Sequence, residues 1–314
     1  MKRILVLAIV LFFAGHGRTQ TITQGVQLFE KGELSEARKF LQSSTFERND
    51  QALYYLGRIA FEVEDYDTAS DYFEQAINVQ PDSSQYYGWL GNALGSMAGS
   101  ASMFRKGILA PQIKLAYEKA VELDPENMGA LFGLIEFYTQ APGFMGGSWG
   151  KAEQTANKIK DLDLLSGHEA MITVMERQER YVEAEREYLA AAEIDPVKLI
   201  SLGIFYQGRK EYSKAFETFQ QALNDESTYL NGLYQYGRTS ALSGNRPKEG
   251  IESLMKFLDN EWEEGTPSHA GAWMRIAMIH EKSGEKEMAI RGYKKSLALD
   301  KFMEEAKKGL SRLQ

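Results

Sequence analysis

The sequence has no cysteine among its 314 residues, and only four histidines. The lack of cysteine excludes disulfide frameworks, thiolate nucleophiles and lipid attachment through a cysteine. His269 and His280 are about 16 Å apart along a helix, at about 1.5 Å per residue, too far to share a metal ion. No glycine-rich phosphate loop with the required spacing and no Gly-x-Ser-x-Gly nucleophile elbow occurs. The sequence therefore predicts neither an enzyme nor a metal or cofactor site.

Clusters of basic residues are also missing. Lysine and arginine number 36 against 44 acidic residues, which gives a formal net charge of −8. A moderately acidic chain without clustered lysine and arginine is a poor nucleic-acid binder, because it cannot neutralise several phosphates together. Long apolar runs are absent after the first twenty residues. We therefore expect no nucleic-acid partner, and no stable membrane span in the mature protein.

The N-terminus has the layout of a secretory signal peptide. Three residues with two basic side chains, Met1-Lys2-Arg3, precede an apolar run from Ile4 to Ala14. That run is far shorter than the roughly 20 residues of a spanning helix, which argues against the alternative of an uncleaved membrane anchor. We predict a signal peptide at residues 1–17, cleaved at about 17–20. The protein is then exported, and is periplasmic or associated with the cell envelope of a bacterium.

A small–large–small signature recurs along most of the chain. In its fullest form it consists of Ala69, Phe73, Ala76 and Pro81, at offsets of four, three and five. Similar sets begin at Ile113, Ala184, Ala215 and Ala289, with weaker echoes beginning at Ala37, Ala152 and Gly250. Offsets of four and three place each set on one stripe of a helix. Their first residues lie 31 to 44 residues apart, a period that indicates a stacked repeat array.

A second apolar pattern precedes each signature by roughly a dozen residues. It contains a small residue, as in Leu56-Gly57 and Leu202-Gly203, and a short polar turn separates it from the signature. Each unit is therefore predicted to be two antiparallel helices joined by a tight turn. Where proline follows the signature, it ends the second helix.

These patterns closely resemble the tetratricopeptide repeat family, above all in the stretch Ala52 to Pro81. The resemblance implies an all-α fold, a right-handed superhelical solenoid of about eight antiparallel helix pairs with a C-terminal capping helix. The repeat array is predicted over 21–300 and the capping helix over 301–314. The predicted units are 21–49, 50–82, 83–126, 127–164, 165–196, 197–227, 228–264 and 267–300.

Three segments depart from the family's pattern. Residues 96–111 form an insert between two helices, with room for one short extra helix. A glycine-rich turn, Ala141 to Gly150, occupies the same place in the next unit. The unit around Gly250 has glycine where alanine is expected, and the sequence leaves its helix pairing open.

The resemblance implies a groove, lined by the first helix of each pair, that binds a protein or peptide partner. We predict a non-catalytic interaction scaffold. The alternative is an accessory subunit or chaperone-like assembly factor of an envelope complex, acting through the 96–111 insert. For the tyrosines, packing between repeats is an equal alternative to binding. The candidate groove residues are Tyr54, Arg58, Phe61, Asn92, Glu136, Thr173, Tyr234 and Arg238.

Overall fold

The computed structural model describes residues 22–42, 48–262 and 265–314. These residues form helices and connecting turns, and none of them is in a β-strand. None of the helices in these ranges is long and apolar enough to span a bilayer. The predicted signal peptide at 1–17 and its cleavage site lie outside the described residues.

The helices follow one another along the chain with short connections. We number them α1 to α17, and a short 3-10 turn, Gly143–Met145, lies between α7 and α8. Their bounds are 22–30 for α1, then Leu34–Leu41, Asp50–Glu62, Tyr66–Val79, Ser84–Gly99, Met103–Leu123, Met128–Gln140, Trp149–Leu162, Leu164–Arg177, Tyr181–Ile194, Lys198–Gly208, Tyr212–Ala222, Glu226–Ser243, Pro247–Leu258, His269–Lys282, Lys286–Leu299 and Glu304–Leu313.

The chain divides into two compact units, of which the first ends at Gln178 and the second begins at Glu179. In the first unit, consecutive helices from α2 to α9 pack together, and α3, α5, α7 and α9 also contact one another in series. In the second unit, α10 to α17 behave likewise, with α11, α13, α15 and α17 in series. The predicted all-α solenoid of helix pairs with a final capping helix is confirmed. We call the surface formed by the odd-numbered helices of a unit its first-helix face.

Glycine in a first helix receives the large side chain of a second helix. A Cβ atom at Gly57 would lie 2.6 Å from the ring of Phe73, and one at Gly203 would lie 2.3 Å from Phe219. Any side chain at these glycines would overlap the ring, so the close approach of the helices requires glycine. The two alanines around Phe73 are fully buried. The small–large–small signature is therefore the contact surface of each helix pair.

Four hairpin turns share one backbone geometry. The second residue after the end of the first helix is left-handed in each, with φ of 77° at Gly32, 62° at Glu64, 60° at Lys210 and 78° at Gly284. In each turn the next N–H donates to the carbonyl five residues back, at 2.9 Å. This is the Schellman ending, which satisfies carbonyls at the end of a helix. The polar turns of the sequence thus reverse the chain in the same way in both units.

The 96–111 segment is not a separate insert, and it contains no extra helix. Helix α5 continues through Gly99, and α6 begins at Met103 and includes Pro111. The Ser102 hydroxyl accepts a hydrogen bond from the backbone of the new first turn, which starts α6 early. The two helices of this unit are therefore longer than those of its neighbours. The early part of α6 leaves large apolar side chains in solvent, including Phe104, which is 81% exposed.

The unit around Gly250 forms an ordinary helix pair. Helices α13 and α14 pack against each other and share a buried apolar cluster that includes Leu233, Leu254 and Phe257. A Cβ atom at Gly250 would lie 2.3 Å from the Cβ atom of Ser240. Glycine therefore replaces alanine here because a serine of the first helix occupies the space.

Candidate functional site

A cavity of about 550 Å³ opens in the first unit between α3, α5, α6 and α7. We call it the unit-1 pocket. Phe61 of α3, Asn92 of α5 and Glu136 of α7 line it, and all three were candidate groove residues. Its volume lies within the range of ligand-binding cavities, about 300–1,000 Å³.

Small residues on α5 keep this volume open. A Cβ atom at Gly95 would have the Tyr117 hydroxyl, at 3.9 Å, as its nearest neighbour outside the helix, and one at Gly99 would meet nothing within 4 Å. Both glycines line the pocket. This differs from Gly91 on the same helix, where a Cβ atom would lie 2.6 Å from the Tyr117 ring. Gly91 is thus a packing glycine, while Gly95 and Gly99 create space.

The two irregular segments of the sequence supply the other walls. Met103, Lys106 and Ala110 belong to the early part of α6, and Pro142 and Met145 belong to the glycine-rich turn. Groove and insert were alternatives in the sequence, but in the structure both line one pocket. The sequence signal for this pocket was the pair of departures from the repeat pattern, which occur in neighbouring units.

Hydrogen bonds hold two polar side chains of the pocket, Asn92 and Glu136, in place. The Tyr117 hydroxyl donates to Asn92 Oδ1 at 2.8 Å, and burial, with a smaller effect from Glu136, raises the pKa of Tyr117 above its usual value. Glu136 accepts two hydrogen bonds from Arg177, at 2.8 and 2.7 Å. Lys106 has no ion pair within the described residues. The Asn92 amino group and Lys106 therefore offer donors to a ligand, while the charge of Glu136 is already compensated.

Arg58 and Tyr54 take part in the packing of the first unit. The Arg58 guanidinium lies 3.7 Å from the ring centroid of Trp89 and donates to the Tyr54 hydroxyl at 3.0 Å. Tyr54 is only 3% exposed and also accepts from Gln85 at 2.9 Å. Tyr54 therefore has the environment that the packing alternative describes, and Arg58 is bonded to it.

The remaining candidates are distributed between the two units. Thr173 of α9 uses its hydroxyl locally, donating to the backbone carbonyl of Glu169 at 3.1 Å. Tyr234 of α13 is buried against Phe257, whereas Arg238, one turn later, is only partly buried. Within the described residues, no group of three or more histidine, aspartate or glutamate side chains is placed to hold a metal ion.

The sequence analysis did not identify Arg275 as a site residue. Arg275 belongs to α15, and its charge acts on Arg238. Burial and the nearby Arg275 charge together lower the pKa of Arg238 from its usual value. Arg275 is the single charged residue in the otherwise apolar stretch 270–279, and this was the available sequence signal. The signature of the helix pair gave no reason to connect it with Arg238.

Comparison with known families matches two of these helix pairs. Tetratricopeptide repeat models match residues 50–83, which contain α3 and α4, and residues 270–302, which contain α16 and all of α15 except its first residue. One match lies in each unit, and the helix pairs between them have the same arrangement within their unit. The chain therefore contains tetratricopeptide repeats at these two helix pairs. Such arrays expose extended surfaces for binding other proteins.

A curated relative is a TPR repeat-containing protein of Methanocaldococcus jannaschii. It is 25% identical to this chain over an alignment of 279 residues, and the alignment covers 85% of this chain and 40% of the relative. The chain therefore spans about two fifths of the length of that relative.

Solved tetratricopeptide repeat proteins are also similar to the chain. One from Parabacteroides merdae is 15% identical, with 94% of this chain and 98% of that chain covered and a TM-score of 0.49. One from Thermus thermophilus is 20% identical, covers 60% of this chain and 97% of its own, and has a TM-score of 0.47. YrrB, described as having an unusual peptide-binding site, is 16% identical, with 76% and 97% covered and a TM-score of 0.38.

Proposed function

We propose that this protein is a non-catalytic scaffold that binds a peptide segment of a partner protein, with one large side chain in the unit-1 pocket. The pocket carries the proposal, because both irregular segments of the repeat array contribute to one cavity on the first-helix face. A repeat array that only packs on itself, and binds no partner, would need neither the open space beside Gly95 nor the extended α6.

The lining of the pocket suits a peptide better than a reaction. Met103 and Met145 offer flexible apolar side chains, which adapt to different partner side chains. Asn92 is oriented by Tyr117, so its amino group is positioned to donate to a peptide carbonyl. Lys106 adds one positive charge, which favours a peptide with an acidic residue beside its apolar anchor.

A filling substitution tests this proposal. Gly95→Met places a side chain in the open volume without an overlap at Cβ, so the fold is expected to persist. Peptides selected from a random library on the wild-type protein should bind this variant at least about tenfold more weakly in fluorescence anisotropy. Gly208→Met is the matched control, since Gly208 ends α11 in the second unit and a Cβ atom there meets nothing within 4 Å. Equal peptide affinity for both variants would contradict the proposal.

A second candidate function uses the outer side of α6. Phe104, Ile108 and Leu115 are 81%, 49% and 67% exposed and follow helical spacing on one stripe. This stripe favours an accessory subunit or chaperone-like assembly factor that docks through this segment onto a complex. Replacing the three residues with serine should then abolish assembly while peptide binding in the pocket is retained. The pocket hypothesis predicts the reverse for Gly95→Met.

We further propose export to the periplasm or cell envelope of a bacterium. The basic start and the short apolar run of the sequence support this location. N-terminal sequencing of the protein from its native host should begin between about Arg18 and Thr21. A mature chain that still begins at Met1 in the cytoplasm would contradict the proposed location.

A further inference from the structure

Two stretches of the chain that include the irregular segments contain no acidic residue. Residues 83–117 carry three basic side chains, and residues 137–152 carry one. All 44 acidic residues of the chain lie outside these two stretches, and the formal net charge of the whole chain is −8. The two stretches are therefore locally positive parts of an acidic protein.

The exposed side of α6 begins with an apolar stripe. Four residues of this stripe lie within about 60° of one another around the helix axis, at about 100° per residue, and all four are exposed. They are Phe104, Ile108, Pro111 and Leu115. At about 1.5 Å per residue the stripe is about 16 Å long. After Leu115 the same side of the helix carries Glu118, so the apolar part ends there.

The glycine-rich turn adds a second exposed aromatic side chain beside this stripe. Phe144 is 82% exposed, and the residues that follow it pack on α6. A Cβ atom at Gly107 would lie 3.7 Å from Met145 Cε. One at Gly146 would lie 3.6 Å from Lys114 Cδ. Gly107 and Lys114 are about two helical turns apart on one edge of the stripe, so the turn borders the stripe along that edge.

Basic side chains lie on both sides of the stripe. Lys114 is at one edge, with its Nζ atom 3.7 Å from Glu118 Oε1, beyond hydrogen-bond distance. Arg105 lies beyond the other edge and donates to Asp67 Oδ1 at 2.7 Å. The Arg105 and Asp67 side chains are 51% and 72% exposed, so this ion pair is in contact with solvent and weak.

Lys151 adds a positive charge from the first turn of α8. Its Nζ atom lies 5.5 Å from the ring centroid of Tyr138, whose hydroxyl donates to Glu118 Oε1 at 3.1 Å. Neither Lys151 nor Lys106 has an ion pair in the described part of the chain. Asp67 and Glu118 thus offset two of the four basic charges, and the region stays positive.

This combination has the properties of a helix that lies in the interface of a membrane. Exposed aromatic and aliphatic side chains of such a helix enter between the lipid headgroups, and basic side chains reach the phosphates. A bilayer with anionic phospholipid supplies both an apolar layer and a negative surface potential. It is therefore complementary to the stripe and to its charge.

We propose that the outer stripe of α6, together with Phe144, binds the surface of a bilayer that contains anionic phospholipid. A stripe of about 16 Å lies in the surface of the bilayer and does not cross it. The proposal goes beyond the peptide function of the unit-1 pocket. It assigns a lipid surface to the stripe that the second candidate function assigns to a protein complex.

A dye on the stripe tests the proposal on the full chain. The chain has no cysteine, so Leu115→Cys provides one site for an environment-sensitive dye. On vesicles of phosphatidylcholine and phosphatidylglycerol in equal amounts, its emission should rise and shift to shorter wavelength, because the dye leaves water. Val182→Cys is the matched control, since Val182 of α10 has nearly the same exposed fraction, 66% against 67%. Its dye should not respond, even where the apolar N-terminal run attaches the chain to the vesicle.

Variants of the Leu115→Cys chain separate the charged and apolar contributions, with the Kd taken from vesicle titrations. Vesicles of phosphatidylcholine alone should bind at least about tenfold more weakly than the mixed vesicles. Lys151→Gln should weaken binding to the mixed vesicles about fivefold, and Lys286→Gln, at an exposed lysine of α16, should leave it unchanged. Phe104→Ser with Ile108→Ser should weaken it at least about tenfold. Thermal unfolding should stay the same, since both side chains are exposed.

The proposal is overturned if the dye on the Leu115→Cys variant does not respond to the mixed vesicles, or responds equally to phosphatidylcholine alone. It is also overturned if serine at Phe104 and Ile108 leaves the titration unchanged. Either result leaves the stripe to the protein complex of the second candidate function. Peptide binding in the unit-1 pocket is measured separately with Gly95→Met and does not depend on these results.

Discussion

At the scale of single residues, the repeat depends on a contact between a glycine and a large side chain. Tyr117 shows this most fully, because Cβ atoms at Gly91 and Gly133 would lie 2.6 and 2.3 Å from its ring. One aromatic ring thus fixes the distance to the first helix of its own pair and of the next pair. A tight contact of this kind tolerates little added volume, because protein interiors are close-packed.

Gly203→Ala tests this contact in the second unit. Alanine usually favours a helix over glycine, but here its methyl group would lie 2.3 Å from the Phe219 ring. We expect a loss of about 1–3 kcal/mol in the free energy of unfolding, measured by urea denaturation. Gly208→Ala on the same helix is the control, since nothing lies within 4 Å of its Cβ position. A similar effect of both substitutions would show that the ring contact does not limit stability.

At the scale of elements, the repeats differ in the residue used at the hairpin turn and in the lengths of their helices. The turns at Gly32, Glu64, Lys210 and Gly284 use one left-handed residue each, although only two of them are glycine. A residue with a Cβ atom is strained in this conformation. Elsewhere, α5 and α6 lengthen and create a wall of the unit-1 pocket while the hairpin of helices is maintained.

Substitution at Lys210 should therefore increase stability. Lys210 has φ of 60°, and glycine adopts this conformation without a steric penalty. We expect Lys210→Gly to raise the free energy of unfolding by about 0.5–1 kcal/mol, after allowing for the greater freedom of glycine in the unfolded chain. The reciprocal change, Gly284→Lys at φ of 78°, should lower it by a similar amount. Thermal unfolding of both variants measures the two effects, and changes of the same sign would contradict the explanation.

At the scale of the whole molecule, each helix packs mainly on its neighbours in the sequence. Contacts within each unit join consecutive helices and successive odd-numbered helices. The stability of such an array is close to a sum of local terms, so damage in one repeat should remain near that repeat.

Ala76→Phe tests this local behaviour. Ala76 is fully buried at the contact of α4 with its neighbours, and a phenyl ring would overpack it at a cost of about 1–3 kcal/mol. Hydrogen exchange should show lost protection at residues 52–125 and little change beyond Ala215. A uniform loss along the chain would contradict modular stability.

The sequence by itself determined the helix pairs of this protein. Gly57, Phe73 and the two alanines around it are close in the chain, and helical spacing alone places them on facing stripes. The same local rule predicted the short polar turns and the final helix. It also predicted 96–111 as an insert between two helices, which was wrong. The signals that start α6 at Ser102 lie within a few residues of it, as signals for a separate segment would, so local rules did not distinguish the two structures.

Only the tertiary structure decided which side chains meet on the first-helix faces. Asn92, Lys106 and Met145 line one pocket although they lie on two long helices and a turn. The charge of Arg275 acts on Arg238 because α13 packs on α15, although α14 lies between the two residues in the chain. Periodicity states which way a residue faces on its own helix. It does not state the distance between helices, and that distance depends on how the buried side chains of each pair pack together.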